Sequence, residues 1–87
     1  MDRAEIVQKL ERRLRDARMW RAEASAAFDA ATNGFPGRIP TADSMEQIKS
    51  TSDEYGRSLL AIEKALREHN EFVMSGKLPI DVENAAA

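Results

Sequence analysis

The sequence contains no cysteine, and only one histidine, one tryptophan and one tyrosine among its 87 residues. Without cysteine there is no disulfide framework, no thiolate metal site and no cysteine nucleophile. Apolar residues occur only in short runs, so we expect no membrane span and no secretory leader. The 13 Lys and Arg nearly balance the 15 Asp and Glu, whereas nucleic-acid-binding domains are usually clearly basic. We therefore expect a cytoplasmic protein with no membrane partner, no metal, no cofactor and no direct contact with nucleic acid.

Glycine and proline are also scarce, and their positions divide the chain. Two of the four glycines and two of the three prolines lie within nine residues that are interpreted as a loop. The segments on either side contain no proline and are rich in residues that favour helices. Gly76 and Pro79 follow the second segment, as expected where a helix ends. We predict one domain over residues 1–84, in the order helix 3–32, loop 33–41, helix 42–75 and tail 76–84.

Apolar residues recur every three or four positions along both helices, which is typical of a coiled-coil or bundle seam. In the first helix the predicted seam comprises Val7, Leu10, Leu14, Ala17, Arg21, Ala24, Phe28 and Ala31. In the second it comprises Met45, Ile48, Ser52, Tyr55, Leu59, Ile62, Leu66, His69 and Val73. If the two helices are antiparallel and the numbers of facing residues sum to 76, the seam residues of one helix face the seam residues of the other. The predicted fold class is therefore all-α, an antiparallel two-helix hairpin with a coiled-coil-like seam.

Several apolar residues lie off this predicted seam, namely Ile6, Met19, Trp20, Ala27, Leu60, Ala65, Phe72 and Met74. Two helices alone enclose no core, and a fully exposed tryptophan is uncommon on a small protein. We expect a homo-oligomer, in which two hairpins form a four-helix bundle. The predicted interface residues are Ile6, Met19, Trp20, Ala27, Leu60 and Phe72. The alternative is that the tail segment 78–82 folds back over these residues in a monomer.

Arg21 interrupts the predicted seam opposite Tyr55 and admits two interpretations. A single buried polar residue can fix the register of a helix pair. Alternatively, Arg21 with Arg18 and the Tyr55 hydroxyl binds an anion, such as a nucleotide, at a pocket between protomers.

The loop is longer than the two to five residues that close a helical hairpin. Its residues Phe35, Arg38 and Ile39 are a candidate contact point for a partner, although capping the end of the bundle explains them equally well. No paired catalytic carboxylates, phosphate-binding loop or nucleophile with its base is present, so no catalytic residue is predicted.

An Ile-Pro loop leads into the second helix, which closes with an Asn-x-Phe and Gly-x-x-Pro tail. The residues of this pattern are Pro36, Ile39, Pro40, Asp43, Ile48, Ala65, Leu66, Asn70, Phe72, Gly76, Pro79 and Asp81. The pattern resembles a group of short uncharacterised bacterial proteins, although this chain lacks the second glycine that often follows the Asp. The resemblance covers about half of the chain. It implies a shared fold and carries over no activity.

The leading functional hypothesis is a non-enzymatic, oligomeric helical binding protein, an adaptor or inhibitor that acts through protein–protein contacts with itself and with another protein. The alternative is a protein that sequesters a small nucleotide-type anion. The terminal residues 85–87 are interpreted as a cloning remnant and are set apart from the fold.

Overall fold

The computed structural model describes residues 2–33 and 41–86, and within them every regular element is an α-helix. The first helix, α1, spans Arg3–Asn33, α2 spans Ala42–Ser75 and α3 spans Ile80–Ala86. The bounds of α1 and α2 agree with the predicted bounds to within one residue. The tail, by contrast, contains a helix that no sequence pattern predicts, and this helix runs into the alanine triplet. The candidate loop contacts Phe35, Arg38 and Ile39 lie outside the described residues.

The ends of α2 are set by residues with specific capping roles. Thr41 has an extended backbone, and its hydroxyl oxygen accepts a hydrogen bond from the Ser44 backbone N–H at 3.2 Å. This arrangement is an N-cap. At the other end, Gly76 has a φ of 74°, and its N–H donates to the Phe72 carbonyl at 2.9 Å. Gly76 therefore ends α2 in the left-handed conformation that favours glycine, and the chain turns back towards the hairpin.

α1 and α2 pack side by side to form a rod measuring 56 × 17 × 17 Å. Two hydrogen bonds show their relative direction, because Trp20 bonds to Glu54 and Arg13 bonds to Glu68. Early residues of α1 thus meet late residues of α2, and the residue numbers of these two pairs sum to values on either side of 76. The predicted all-α antiparallel hairpin is confirmed.

The buried face of α1 largely follows the predicted seam. Leu10, Ala17, Ala24 and Ala31 are buried at intervals of one heptad. Arg21 is exposed, so the interpretation of Arg21 as a buried polar layer within the hairpin is wrong. A long, charged side chain can reach water from the edge of a helix pair, and here it does so.

The buried face of α2 is rotated relative to the prediction. The buried residues are Ser58, Ala65 and Phe72, each one position before a predicted seam residue. Leu59, Leu66 and Val73 are instead exposed over a third or more of their surface. One position corresponds to a rotation of about 100° around a helix. Consequently, small side chains face α1 over most of α2, and large aliphatic side chains lie beside the seam.

Small hydroxyl residues can occupy this face because their polar groups bond within their own helix. The Ser58 hydroxyl donates to the Tyr55 carbonyl at 2.6 Å, and the Thr51 hydroxyl donates to the Gln47 carbonyl at 2.9 Å. Such bonds leave no donor unsatisfied at the contact. Indeed, no buried side-chain nitrogen or oxygen in the described residues lacks a partner.

The open end of the hairpin, where α1 begins and α2 ends, contains the core of the protein. Ile6, Leu10 and Phe72 cluster there with Val82 of α3, which is fully buried. The prediction that Ile6 and Phe72 contribute to an interface between protomers is therefore wrong. The structure matches the alternative for these two residues, since the tail folds back over them within one chain.

None of the helices in the described residues combines the length and apolar character needed to cross a membrane.

Candidate functional site

Three large aliphatic residues lie along one face of α2 and are only partly covered by the residues that the structure describes. Leu59, Leu66 and Val73 are 43%, 36% and 47% exposed, and we call them the α2 stripe. Because they are spaced seven residues apart, they share one face over two heptads. Met45 lies two heptads before Leu59 and is also exposed. These residues repeat along one side of α2, as apolar residues do where a helix packs against another helix.

The α2 stripe is exposed because small residues of α2, rather than its large aliphatic residues, contact α1. Ser58 and Ala65 occupy the contact face, so the aliphatic residue that follows each of them is displaced to the side of the helix pair. The stripe lies on a rigid helix next to a well-packed seam. Its geometry therefore suits the docking of another helix without any rearrangement of the hairpin.

A groove of about 420 Å³ lies between α1 and α2. Its lining residues are Arg13, Asp16, Ala17, Trp20, Ala61, Lys64, Ala65, Glu68 and Asp81. We call this feature the Trp20 groove. The alanines form its apolar part, and charged side chains of both signs border it. Such a mixture suits an amphipathic segment better than a simple ion.

Trp20 is half-buried, and its indole N–H donates to a Glu54 carboxylate oxygen at 2.7 Å. The other Glu54 oxygen accepts a bond from the Arg57 guanidinium, also at 2.7 Å. These bonds, first from Arg57 and then from Trp20, lower the pKa of Glu54 below its ordinary value. Trp20, which the sequence places at an interface between protomers, is thus partly covered within one chain, and its polar edge is satisfied there. Its ring remains available as part of the groove.

Arg13 joins all three helices. Its guanidinium donates to both carboxylate oxygens of Asp81 in α3 and, at 3.4 Å, to Glu68 in α2. The hydrogen bond to Asp81 raises the pKa of Arg13 and lowers that of Asp81. Lys64 approaches the same Glu68 carboxylate at 3.8 Å. The resulting charge network holds α3 against the hairpin at one end of the Trp20 groove.

The predicted anion-binding residues do not share one groove in the described chain. Arg18 lines a shallow surface depression of about 280 Å³ together with Glu11, Leu14 and Arg15. Arg21 is exposed and Tyr55 is half-buried, and neither lines that depression. The burial that would have made Arg21 a strong anion site is therefore lacking within one chain.

The remaining predicted interface residues stay on the surface. Met19 and Leu60 are more than half exposed, and Ala27 is exposed. Met19 lies on the outer side of α1 and Leu60 on the outer side of α2, because each follows a buried contact residue by two positions. These residues therefore do not form a single face.

Sequence reasoning missed the α2 stripe because it assigned those residues to the seam. A signal was present, since Ser44, Thr51, Ser58 and Ala65 form a second heptad line one position earlier. Sequence reasoning also missed Arg13, Glu54, Glu68 and Asp81, and no local pattern connects them.

Among the residues that the structure describes, no three His, Asp or Glu side chains lie close enough together to hold a metal ion. The resemblance to short bacterial proteins stays a prediction. Comparison with known proteins found no matching family model, no matching curated protein and no matching solved structure.

Proposed function

We propose that this chain is a non-enzymatic binding protein that acts through protein–protein contacts, and that two copies pack through their α2 stripes into a four-helix bundle. The observation that supports this proposal is the partial exposure of Leu59, Leu66 and Val73 on one rigid face. Burying apolar surface contributes about 25 cal/mol per Å². Three side chains of this size therefore favour association.

A two-fold axis suits the spacing of the stripe. With α2 antiparallel to its copy, Leu66 lies on the axis and Leu59 of one protomer faces Val73 of its partner. Such an isologous contact uses the same patch twice and closes at two copies. The arrangement places the four long helices side by side, as in an antiparallel bundle.

The size of the hairpin is also compatible with a stable dimer. One side of a rod 56 Å long and 17 Å wide presents roughly 900 Å², and a standard interface buries about 800 Å² per partner. Lateral packing along most of the length therefore supplies enough area. End-to-end contact, over a face about 17 Å across, supplies far less.

The test is the absolute mass in solution, measured by light scattering behind a size-exclusion column. We expect about twice the 9.7 kDa chain mass for the parent. Leu66→Asp places a charge on the axis, so this variant is expected to have the mass of a monomer while keeping its helical circular dichroism. Val73→Lys is a second variant at the edge of the same face, with the same expected result.

The matched control is Leu60→Asp, which changes a neighbouring leucine that is 66% exposed on another face of α2. This variant should remain dimeric. If Leu60→Asp dissociates the protein and Leu66→Asp does not, the interface is the outer side of α2 around Leu60. A parent that has the mass of one chain would contradict self-assembly altogether.

A second candidate function is the sequestration of a small anion. In its favour, Arg15 and Arg18 border one depression beside Leu14, and Arg21 lies one turn further along α1. The test is thermal unfolding with a panel of cyclic and linear nucleotides. A ligand at 100 times its dissociation constant stabilises a protein by about 2.7 kcal/mol, so the absence of any shift would remove this candidate.

A further inference from the structure

The short helix α3 packs on an apolar site at the open end of the hairpin, which we call the tail site. The tail site consists of Ile6, Leu10 and Phe72, which cluster with the fully buried Val82 of α3. Leu78 adds a half-buried contact, whereas Ile80 faces solvent. A helix of seven residues is not stable alone in water. Docking on the hairpin is therefore what keeps α3 helical.

The tail site also has a charged rim that recognises a carboxylate. Arg13 holds Asp81 with two guanidinium nitrogens, the fork geometry that favours carboxylates. The remaining acidic partner of Arg13 is Glu68, which is also shared with Lys64. When α3 leaves, Arg13 loses its two bonds to Asp81 and shares Glu68 with Lys64. An incoming carboxylate then restores the paired bonds of Arg13.

Beyond α3, the tail site is continuous with the Trp20 groove. The Trp20 groove begins at Asp81 and Arg13 and extends past Ala17 and Ala65 to Trp20. A segment longer than α3 can thus fill both the tail site and the groove. It gains apolar contacts that the short tail does not make.

We propose that the tail site and the Trp20 groove together form a docking site for an amphipathic helix of another protein, and that α3 is its built-in competitor. The partner helix carries an acidic residue directly before an aliphatic one, as Asp81 and Val82 do in α3. α3 is suited to displacement because Val82 is its one fully buried side chain among those described. This surface is distinct from the α2 stripe, so the proposal does not depend on the dimer.

The test uses the full chain with Val82→Asp, which removes α3 from the apolar site. The probe is a labelled peptide with the sequence of residues 77–84, followed by fluorescence anisotropy and by NMR shifts of Ile6 and Leu10. A short tether gives the attached tail an effective concentration in the millimolar range, so the titration extends to a few millimolar. We expect the peptide to bind the Val82→Asp chain at least tenfold more tightly than the parent.

Charge recognition is tested with a peptide in which Asp81 is replaced by Asn. It should bind the Val82→Asp chain at least fivefold more weakly than the natural peptide. This difference should vanish when the chain also carries Arg13→Gln, because a double-mutant cycle isolates the pair. Helical circular dichroism identical to that of the parent shows that each variant is folded.

The groove is tested with two longer peptides, extended by a helical segment at either end. The one that runs along the groove should bind more tightly than the short peptide and change the emission of Trp20, the single tryptophan. No binding of the short peptide at millimolar concentration would overturn the docking site. Binding without any gain from either extension would overturn the part played by the groove.

Discussion

The open end of the hairpin and its middle share one seven-residue repeat, yet they bury side chains of very different size. At the open end, Ile6, Leu10 and Phe72 are buried because Val82 of the third helix, α3, packs against them. In the middle, where two helices pack alone, Ala17, Ala24 and Ser58 are buried instead. In the middle of this hairpin, the side chains that are buried between the two helices are small. The large buried side chains lie where α3 packs against both helices.

This difference also explains where the apolar surface is left over. Leu59 and Leu66, in the middle of α2, are partly exposed because no third helix among the described residues packs over them. The open end is closed by α3 within one chain. In the middle, Leu59 and Leu66 stay partly exposed, and this exposure is the physical basis of the proposed assembly.

The strongest test of the comparison is Phe72→Ala at the open end. We expect a loss of about 3–5 kcal/mol in the free energy of unfolding, because a buried ring is removed from a closed cluster. Urea denaturation at fixed protein concentration measures this loss. The control is Leu60→Ala at a well-exposed site on the same helix, where the change should be within about 0.5 kcal/mol. Equal effects of the two substitutions would show that α3 does not enclose a core.

A second test concerns the contact between α1 and α2 in the middle of the hairpin. Ala65→Leu forces a larger side chain into the contact with α1, and we expect a loss of about 1–3 kcal/mol. Ala27→Leu is the matched control, because Ala27 is exposed on α1. Thermal unfolding of the two variants separates them. If Ala65→Leu stabilises the protein, α2 uses the face predicted from its apolar residues and the rotation found in the structure is wrong.

The smallest expected effects come from a pair of glycine substitutions. At both Gly56 and Gly76, no atom beyond the neighbouring backbone lies within 4 Å of the position that a Cβ would take, so the backbone conformation decides the outcome. Gly56→Ala lies within α2 and should stabilise by about 0.5–1 kcal/mol. Gly76→Ala must adopt the left-handed conformation and should destabilise by about 1–2 kcal/mol. Changes of the same sign at the two sites would contradict the left-handed turn that leads into α3.

Much of the fold could be predicted from the sequence because long helices carry strong periodic signals. The bounds of α1 and α2, the cap at Gly76 and the antiparallel pairing all follow from local residue choice. The rotation of α2 could not be predicted in the same way. In α2, a row of large apolar residues lies next to a row of small residues. Hydrophobicity alone predicts that the large residues face α1. Close approach of the two backbones instead places the small residues there, and this approach depends on the shape of both helices.

The tail and the candidate site were harder to predict for a different reason. A seven-residue helix is too short to show a period, so nothing marked α3. Arg13 and Asp81 are 68 residues apart, and their contact exists only once the tail has folded back. Trp20 was identified correctly as unusual, but its bond to Glu54 depends on the register between helices.

The elongated shape has a consequence for how this protein moves through solution. A rod more than three times as long as it is wide has more friction than a sphere of equal mass, so a single chain elutes early and resembles a larger globular protein. Small-angle scattering gives the complementary quantity, the maximum dimension. Two hairpins side by side double the mass and leave that dimension nearly unchanged, whereas two hairpins joined end to end almost double it. Mass and length measured together therefore distinguish the two kinds of assembly without any mutation.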